Sequence, residues 1–363
     1  MRVTLNLALP LAEAASLASS ILIEQTVETP PDVAHAYPFV RERFAGEILS
    51  LVPADPGCHL TLQLPDTGCT DAAQCLNVLF GNVSLHEKVS LLDFEPTAAW
   101  TSLLPGPRHG IAGLRAAVGI QDRPLLCAAI KPVGMNVDEI ASVCARIADG
   151  GIDFIKDDHY FSDAPFAPFE ARVRACQRAV DDAGQRLGRR IVYVPNLTGA
   201  PAQLERQADL AQQLGVGAVM AAPMLVGLPA YRALADRLDI PLFAHPSFAG
   251  ATRIAPEALF GKLFRLFGAD AVIFANYGGR FSYDRDTCIA MARTMRAPLA
   301  GVRPALPVPA GGMTVERAGE LVDAFGLDAM LLIGGSLLQA ADLTARAGTL
   351  RESVETAARS LLS

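Results

Sequence analysis

The stretch that decides the fold reads Gly150-Gly151-Ile152-Asp153-Phe154-Ile155-Lys156-Asp157-Asp158-His159. A Gly-Gly turn is followed by a short, mainly apolar run, after which come a lysine, two aspartates and a histidine. Because side chains alternate faces along a strand, Lys156 and Asp158 should share one face and Asp157 should take the other. His159 falls where the strand runs into a loop. Charge at the end of a buried parallel strand is costly unless it binds something, so we expect chemistry here. The alternative is a strand end whose charges are merely solvated.

Length and composition predict a large α/β protein with a smaller second domain. The chain has 363 residues, of which 51% are apolar and 19% charged, which suits a parallel sheet covered on both faces. The formal net charge of −7 argues against nucleic acids or anionic membranes as partners. Seven scattered cysteines without a Cys-x-x-Cys pair are typical of reduced thiols in a cytoplasmic protein. The start of the chain alternates like a strand and continues as a helix, unlike a signal peptide, and no run is suited to span a bilayer.

From about Pro124 onward, apolar strands alternate with amphipathic helices. Eight such units, spaced by roughly 25–35 residues, predict a (β/α)8 barrel. An open doubly wound sheet would usually have fewer units and a glycine-rich first turn, and the sequence has no Gly-x-Gly-x-x-Gly. The predicted strands are Leu125–Ile130, Ile152–Lys156, Ile191–Val194, Ala218–Ala221, Leu242–His245, Ala271–Phe274, Ala305–Val308 and Ala329–Ile333. The clearest helical patterns are Val137–Ala148, Pro201–Leu214, Pro256–Phe267 and Val315–Ala324.

Residues 1–103 have a different pattern, which predicts a small α+β domain ahead of a barrel in residues 104–363. The stretch Pro105–Gly110, rich in proline and glycine, is the expected linker. The predicted elements of the first domain include strands Arg2–Leu9 and His59–Leu64 and helices Ala12–Ile23 and Cys75–Phe80.

In a barrel, the residues that follow each strand form the active site. Lys131 follows the first strand, Asn196 the third and His245 the fifth, where a histidine is a candidate acid or base. Asn276 and Arg280 follow the sixth strand as candidate substrate-binding residues, and Arg280 could close over a bound ligand. An ordinary surface arginine is the alternative for Arg280.

A Gly-Gly pair follows each of the last two strands, Gly311-Gly312 and Gly334-Gly335. Glycines let the backbone approach an anion, and a helix N-terminus behind them supplies oriented N–H groups. Because barrels often bind phosphate at this place, the pairs predict a phosphate site. Tight turns without a ligand are the alternative.

These residues, in this order, resemble the large subunit of ribulose-bisphosphate carboxylase, and more closely its non-carboxylating relatives, the RuBisCO-like proteins. The most specific parts are Ile130-Lys131-Pro132, the segment Gly150–Asp158, the segment Asn276–Arg280 and the two Gly-Gly turns. The resemblance spans nearly the whole chain and implies that the amino-terminal domain is ferredoxin-like.

The resemblance also implies roles for several residues. Lys156 would be carbamylated by carbon dioxide and bind Mg²⁺ with Asp158 and the residue at position 159, and Lys131 would be an acid/base group. A homodimer with two shared active sites is implied, in which the partner's amino-terminal domain completes each site. The completing residues would be Glu24, Thr29 and Asn82.

Departures from the carboxylase pattern bear on the function. The metal-binding glutamate is His159 here. The other departures are Val133 for the second lysine after strand one, Pro246 for the arginine after the strand-five histidine, Ile273 for the strand-six histidine, Ala310 for the serine before the strand-seven glycines and Arg280 for the lysine of the flexible loop. The losses at strands five, six and seven fall where the carboxylase holds its second phosphate. We therefore expect a substrate with one phosphate, or with one phosphate and a neutral tail, and no true carboxylase activity.

The remaining residues suit enolate chemistry on a monophosphorylated keto sugar or keto acid, by enolisation, isomerisation or decarboxylation. A metal would polarise the carbonyl while Lys131 or Lys156 acts as the base and His245 carries a proton. Because Mg²⁺ prefers oxygen ligands, His159 leaves three alternatives: a softer metal, Mg²⁺ without His159, or no metal. Without a metal, a plain lysine amine predicts a Schiff-base, aldolase-like lyase. A catalytically inactive paralogue that binds a phosphorylated metabolite is the non-enzymatic alternative.

Overall fold

The computed structural model of the protein describes residues 1–281 and 283–362, with all their side chains except those of Pro31 and His35. It contains a four-stranded antiparallel sheet followed by an eight-stranded parallel sheet. The strands of the first sheet are β1 (Arg2–Leu7), β2 (Glu47–Pro53), β3 (Cys58–Gln63) and β4 (Val89–Glu95), in the spatial order β2-β3-β1-β4. The accompanying helices are α1 (Leu11–Glu24), α2 (Pro31–His35), α3 (Pro38–Arg43), α4 (Ala72–Phe80) and α5 (Ala98–Leu103).

The first sheet buries one face against its helices. Val3, Leu5 and Leu7 alternate with less buried residues along β1, as period-two patterning requires, and belong to the same buried core as the apolar side of α1. The Asp71 side chain accepts hydrogen bonds from the first amides of α4 and so fixes where that helix begins. This arrangement confirms the predicted ferredoxin-like α+β fold, while the domain boundary at residues 103 and 104 stays a prediction.

The second sheet closes into a barrel. Its strands are β5 (Leu125–Ala129), β6 (Phe154–Lys156), β7 (Val192–Val194), β8 (Val219–Ala221), β9 (Leu242–Ala244), β10 (Ala271–Ala275), β11 (Leu306–Ala310) and β12 (Met330–Ile333). All neighbouring pairs are parallel, and a bridge between Asn196 and Met220 joins β7 to β8 and closes the ring. The predicted barrel is confirmed, with each strand end within two residues of its predicted position.

Helices cover the barrel. They are α6 (Gly110–Val118), α7 (Val137–Asp149), α8 (Phe169–Leu187), α9 (Pro201–Gln213), α10 (Pro223–Val226), α11 (Leu228–Arg237), α12 (Phe264–Leu266), α13 (Arg285–Arg296), α14 (Ala318–Phe325), α15 (Gly335–Leu338) and α16 (Leu343–Leu362). Helix α6 packs against the inner core of the barrel, and the longer helices that follow lie on the outer side. Two predicted helices differ in kind: Glu257–Leu263 is π-helical before α12, and Val315–Arg317 is a 3-10 turn before α14. Apolar periodicity cannot separate these helix types, because each of them places apolar residues on one side.

The barrel interior explains how the fold positions the site. Cys127 and Ala129 of β5, Phe154 of β6 and Phe243 of β9 face a buried inner core, which α6 closes at the amino end of the strands. The linker is anchored there as well, because Asp270 accepts hydrogen bonds of 2.7 Å from the amides of residues 109 and 110. The open mouth of the barrel is therefore at the carboxyl ends of the strands. In the part of the chain that the structure describes, no helix is long and apolar enough to cross a membrane.

Candidate active site

Lysine, aspartate and histidine side chains meet at the carboxyl mouth of the barrel. Continuing the inward-facing positions of β5, β6 and β9 by two residues gives Lys131, Lys156 with Asp158, and His245. Lys156 and Asp158 are almost completely buried. Strand alternation therefore brings together charged residues that are far apart in sequence.

Asp158 is the centre of this cluster. Its Oδ2 accepts a hydrogen bond from Lys131 Nζ, and its Oδ1 accepts one of 3.0 Å from the Tyr160 amide. The Nδ1 of His159 lies 3.3 Å from the same Oδ1. Burial acts to raise the pKa of the Asp158 carboxyl, but the hydrogen bonds from Lys131 and Tyr160 and the charge of Lys156 outweigh it, and the pKa is lowered. The carboxyl is thus ionised at neutral pH.

Lys156 lies directly below Asp158 in the barrel. Its Nζ donates a 2.6 Å hydrogen bond to the backbone oxygen of Asp157. Burial lowers the pKa of the Lys156 amine, against the opposing influence of Cys127 and the neighbouring aspartates. A lowered pKa increases the fraction of uncharged amine, which is the form that removes a proton or reacts with carbon dioxide.

Two imidazole rings stack beside the cluster. The rings of His159 and His245 have centroids 4.3 Å apart and an interplanar angle of 14°. The Nδ1 of His245 accepts a 3.2 Å hydrogen bond from the Ser247 amide, so the neutral ring carries its proton on Nε2. Burial lowers the pKa of His159 and holds the pKa of His245 well below its usual value. Both rings are therefore neutral at neutral pH.

The two predicted glycine turns lie at the same mouth. The backbone of Gly312, with φ of 64°, packs against that of Gly278, and a Cβ at Gly312 would lie 2.6 Å from the Gly278 carbonyl. Arg317 donates hydrogen bonds to the backbone oxygens of Gly312 (2.7 Å) and Tyr277 (3.3 Å) and so ties the two loops together. The Cε of Lys131 lies 3.9 Å from the position of a Cβ on Gly334, so the second turn adjoins the lysine cluster.

Asn276 and Arg280 are placed less centrally. Ala271 and Ile273 of β10 face the inner core. By the alternation of side chains along a strand, Ala275 takes the next inward-facing position and Asn276 does not. The Asn276 amide donates to Ala310 across the sheet, whereas its buried side-chain oxygen and nitrogen have no hydrogen-bond partner among the described residues. Arg280 is exposed on the loop.

The three residues predicted to come from a partner subunit lie on the amino-terminal domain. Asn82 Nδ2 donates a 2.9 Å hydrogen bond to Glu24 Oε1, and Thr29 is half-buried in the segment after α1. Across residues 1–281 and 283–362, no hydrogen bond or ion pair joins Glu24 or Asn82 to the lysine cluster of the same chain. The structure thus joins Glu24 and Asn82 to each other by a hydrogen bond.

Comparison with known proteins gives the family of this chain. The family profile of the ribulose bisphosphate carboxylase large chain, catalytic domain, matches residues 110–359. The chain belongs to the RuBisCO large-chain family. It is 42% identical over 347 residues to the 5-methylthioribulose-1-phosphate isomerase of Rhodospirillum rubrum, covering 94% of this chain and 92% of the relative. It is 35% identical over 276 residues to a 2,3-diketo-5-methylthiopentyl-1-phosphate enolase of Geobacillus thermodenitrificans, covering 74% and 67% of the two chains. The crystal structure of a Rubisco-like protein from Rhodopseudomonas palustris superimposes with a TM-score of 0.90 and 36% identity, covering 97% of each chain. The resemblance to RuBisCO-like proteins is confirmed.

The donor set of this RuBisCO-like protein fits a divalent cation only if Lys156 contributes. Within the described residues, no group of three or more His, Cys, Asp or Glu side chains could hold a metal ion. Asp158 and His159 supply one carboxylate and one imidazole close to each other. A carbamate on Lys156 would add the third ligand, and burial of its amine favours the uncharged form that carbamylation requires.

Three contacts of the site were not predicted from sequence. Asn196 follows a predicted strand without an assigned role, and Ser247 is not singled out by the sequence; yet Ser247 orients His245 and Asn196 holds the turn that carries His159. Arg317 had no sequence signal at all, because an arginine in the first turn of a helix is ordinary at a protein surface. These contacts join loops that follow different strands, and no local pattern encodes them.

Proposed function

We propose that this protein catalyses an enolate-forming isomerisation of a monophosphorylated keto sugar. The substrate to test first is 5-methylthioribulose 1-phosphate, after which the R. rubrum relative is named. The observation that supports the proposal is the cluster of two lysines, one ionised carboxylate and two neutral imidazoles at the barrel mouth. Enolisation without isomerisation, as in the enolase relatives, and decarboxylation of a keto acid would use the same enolate.

The residues divide into proton acceptors and proton donors. Without a carbamate, the Lys156 amine, whose pKa is lowered, can remove a proton from the carbon next to a carbonyl. When Lys156 is carbamylated, a carbamate oxygen takes the role of the base. Lys131, held on Asp158, can carry a proton to the developing oxyanion or to the second carbon. His245 presents its Nε2–H because Ser247 occupies Nδ1, and it serves as the second proton carrier.

A divalent cation would be held by Asp158, His159 and a carbamate on Lys156. When bound, the cation would polarise the substrate carbonyl and stabilise the enediolate oxygens. Mg²⁺ is the ion that the family resemblance implies, and the imidazole of His159 favours a softer ion such as Mn²⁺ or Zn²⁺. The Lys131 contact with Asp158 keeps that carboxylate ionised in the absence of a cation.

The two sides of the mouth suit the two ends of such a substrate. The turns at Gly311-Gly312 and Gly334-Gly335 present backbone without side chains, as close approach of a phosphate requires, and Gly334 lies beside Lys131. Ile273 and Ala310 present only apolar atoms toward the interior. A substrate with one phosphate and an uncharged tail is therefore better matched than a bisphosphate.

We also propose a homodimer in which Glu24, Thr29 and Asn82 reach the partner's barrel. Large apolar side chains are exposed on the barrel-rim loops, at Tyr160 (72%), Phe248 (64%) and Phe281 (71%), and beside Asn82 on the other domain, at Leu85 (79%). Such exposure is typical of a surface that a partner covers. Val133 and Phe166 on other barrel-rim loops, and Leu225 of α10, are also exposed.

Mixing two inactive variants tests the shared site. A Lys156→Ala variant and a Glu24→Gln variant should each lack activity, whereas a refolded equimolar mixture should recover about a quarter of the wild-type sites, all in mixed dimers. No recovery, together with a monomeric mass by light scattering, would contradict the dimer.

Proton NMR in deuterated water tests the chemistry. The protein is incubated with 5-methylthioribulose 1-phosphate, and in parallel with other monophosphorylated keto sugars and keto acids, in the presence of bicarbonate and Mg²⁺, Mn²⁺ or EDTA. We expect deuterium incorporation at the exchanged carbon and a new isomer, both abolished in Lys156→Ala. Absence of exchange with every substrate and metal would refute the proposal.

A metal-free lyase is the second candidate, because a buried lysine with a lowered pKa also suits a Schiff base. Borohydride with substrate should then trap an adduct on Lys156 that mass spectrometry locates, and EDTA should not reduce turnover. Binding of the phosphate ester without exchange or trapping would identify an inactive paralogue.

A further inference from the structure

The turn after β6 is held by one side chain from the next strand. Asn196, 3% exposed, follows β7, and its Nδ2 donates to the backbone oxygens of His159 at 3.1 Å and Phe161 at 3.0 Å. Its own amide donates to Asp157 Oδ2 at 3.1 Å. A single residue thus connects the end of strand β6 to the turn that follows it.

Asp157, which accepts the hydrogen bond from the Asn196 amide, is itself held by two further side chains. Tyr193 donates a 2.6 Å hydrogen bond to Asp157 Oδ1, and Arg172 Nε donates one of 3.1 Å to Oδ2. The Nη1 of Arg172 also donates to the backbone oxygens of Ser162 and Ala167, both at 2.9 Å. The whole segment from the strand end to α8 is therefore fastened to a buried ion pair.

His159 is the side chain that this turn presents to the site. Its ring stacks on His245, so a shift of the backbone at position 159 would separate the two rings. Among the described residues, Asn196 is the only one whose side chain donates a hydrogen bond to the His159 carbonyl.

We propose that Asn196 is a positioning residue, which holds the turn His159–Phe161 through its side-chain amide so that the His159 ring lies on His245. Asn196 acts through His159, and its own Nδ2 is occupied by the two carbonyls. The effect on turnover rests on the proposed enolate chemistry, whereas the placement of the ring does not.

The placement is tested by NMR of protein labelled at the ¹³Cε1 position of its six histidines. His159→Asn and His245→Asn variants assign the two signals. Asn196→Asp preserves size but removes both donors and sets an acceptor against two carbonyl oxygens. We expect the His159 and His245 signals to lose their mutual ring-current shift in Asn196→Asp and in Asn196→Ala. Unchanged signals in both variants would overturn the proposal.

Turnover measures the consequence, with Val354→Ala as the control. Val354 is fully buried on the outer helix α16, so its loss destabilises the fold without touching the turn. We expect kcat of the Asn196 variants to fall about a hundredfold with a small change in KM, since misplacement by about 1 Å has such effects. Equal kcat in the Asn196 variants and the control would overturn the catalytic consequence. If the wild type turns over no substrate, the proposed function fails while the histidine signals still decide the placement.

Discussion

Replacing Gly312 by alanine should separate the two loops that form the predicted phosphate site. The backbone at Gly312 has φ of 64°, and the new Cβ would lie 2.6 Å from the carbonyl carbon and oxygen of Gly278. Left-handed backbone costs a non-glycine residue about 1–2 kcal/mol, and overpacking against backbone adds about 1–3 kcal/mol. Gly188 provides a matched control, because it has φ of 61° and nothing within 4 Å of its Cβ position.

We expect Gly188→Ala to lower the free energy of unfolding by about 1 kcal/mol and Gly312→Ala by about 3 kcal/mol, measured by urea denaturation. The extra strain in Gly312→Ala is relieved only if the loops move apart, so KM for the phosphorylated substrate should rise about tenfold or more, equivalent to about 1.4 kcal/mol of binding. Gly188→Ala should keep the wild-type KM. Equal destabilisation in the two variants, with KM unchanged in both, would refute the tight contact and the assignment of a phosphate site to this turn.

Three further predictions concern the charges of the barrel. Arg172→Met leaves the buried Asp157 carboxylate without its cation and should lower the free energy of unfolding by about 3–5 kcal/mol. Adding Asp157→Asn to the same chain should restore part of this loss. A loss below about 1 kcal/mol in urea denaturation would contradict a stabilising ion pair. Because burial holds the pKa of His245 below that of the unfolded chain, the unfolded state takes up more protons in acid. Stability should therefore be complete above about pH 6.5 and decline below it, and His245→Asn should flatten this decline in urea titrations at several pH values. Lys131→Met removes the hydrogen-bond donor to Asp158 and should reduce the rate of deuterium exchange into the substrate about a hundredfold or more. Calorimetry should still detect binding of the phosphate ester to this variant. An undiminished exchange rate would exclude Lys131 as an acid/base group.

The architecture was predictable because it depends on patterns that are local in sequence. Apolar runs spaced by helical segments specify a β/α repeat, and eight of them specify a closed barrel. Period-two alternation then places Lys156 and Asp158 on the inner face and Asp157 on the outer face, where Arg172 and Tyr193 bind it. The inward placement of the lysine cluster needed no information beyond the order of residues along each strand.

Helix type and loop geometry were not predictable in the same way. The segment Glu257–Leu263 has an apolar side like any buried helix, but it is π-helical. In this segment Gly261 packs so closely on α13 that a Cβ at Gly261 would lie 2.6 Å from Thr294 Cγ2. Asn276 follows β10 as a candidate binding residue, yet Ala275 occupies the inward column beside it. Whether Ala275 or Asn276 faces the barrel interior depends on the residue at which strand β10 ends, and the sequence composition does not determine that residue.

The sequence by itself determined the two domains' fold classes and the presence of Lys131, Lys156, Asp158 and His245 at strand ends, since strand and helix periodicity are properties of short segments. Only the tertiary structure decided which of these groups touch. Three contacts join loops that follow different strands: the stacking of His159 on His245, the packing of Gly278 against Gly312, and the hydrogen bond from Asn196 to the His159 carbonyl. Their distances are set by closure of the barrel, which depends on all eight strands at once.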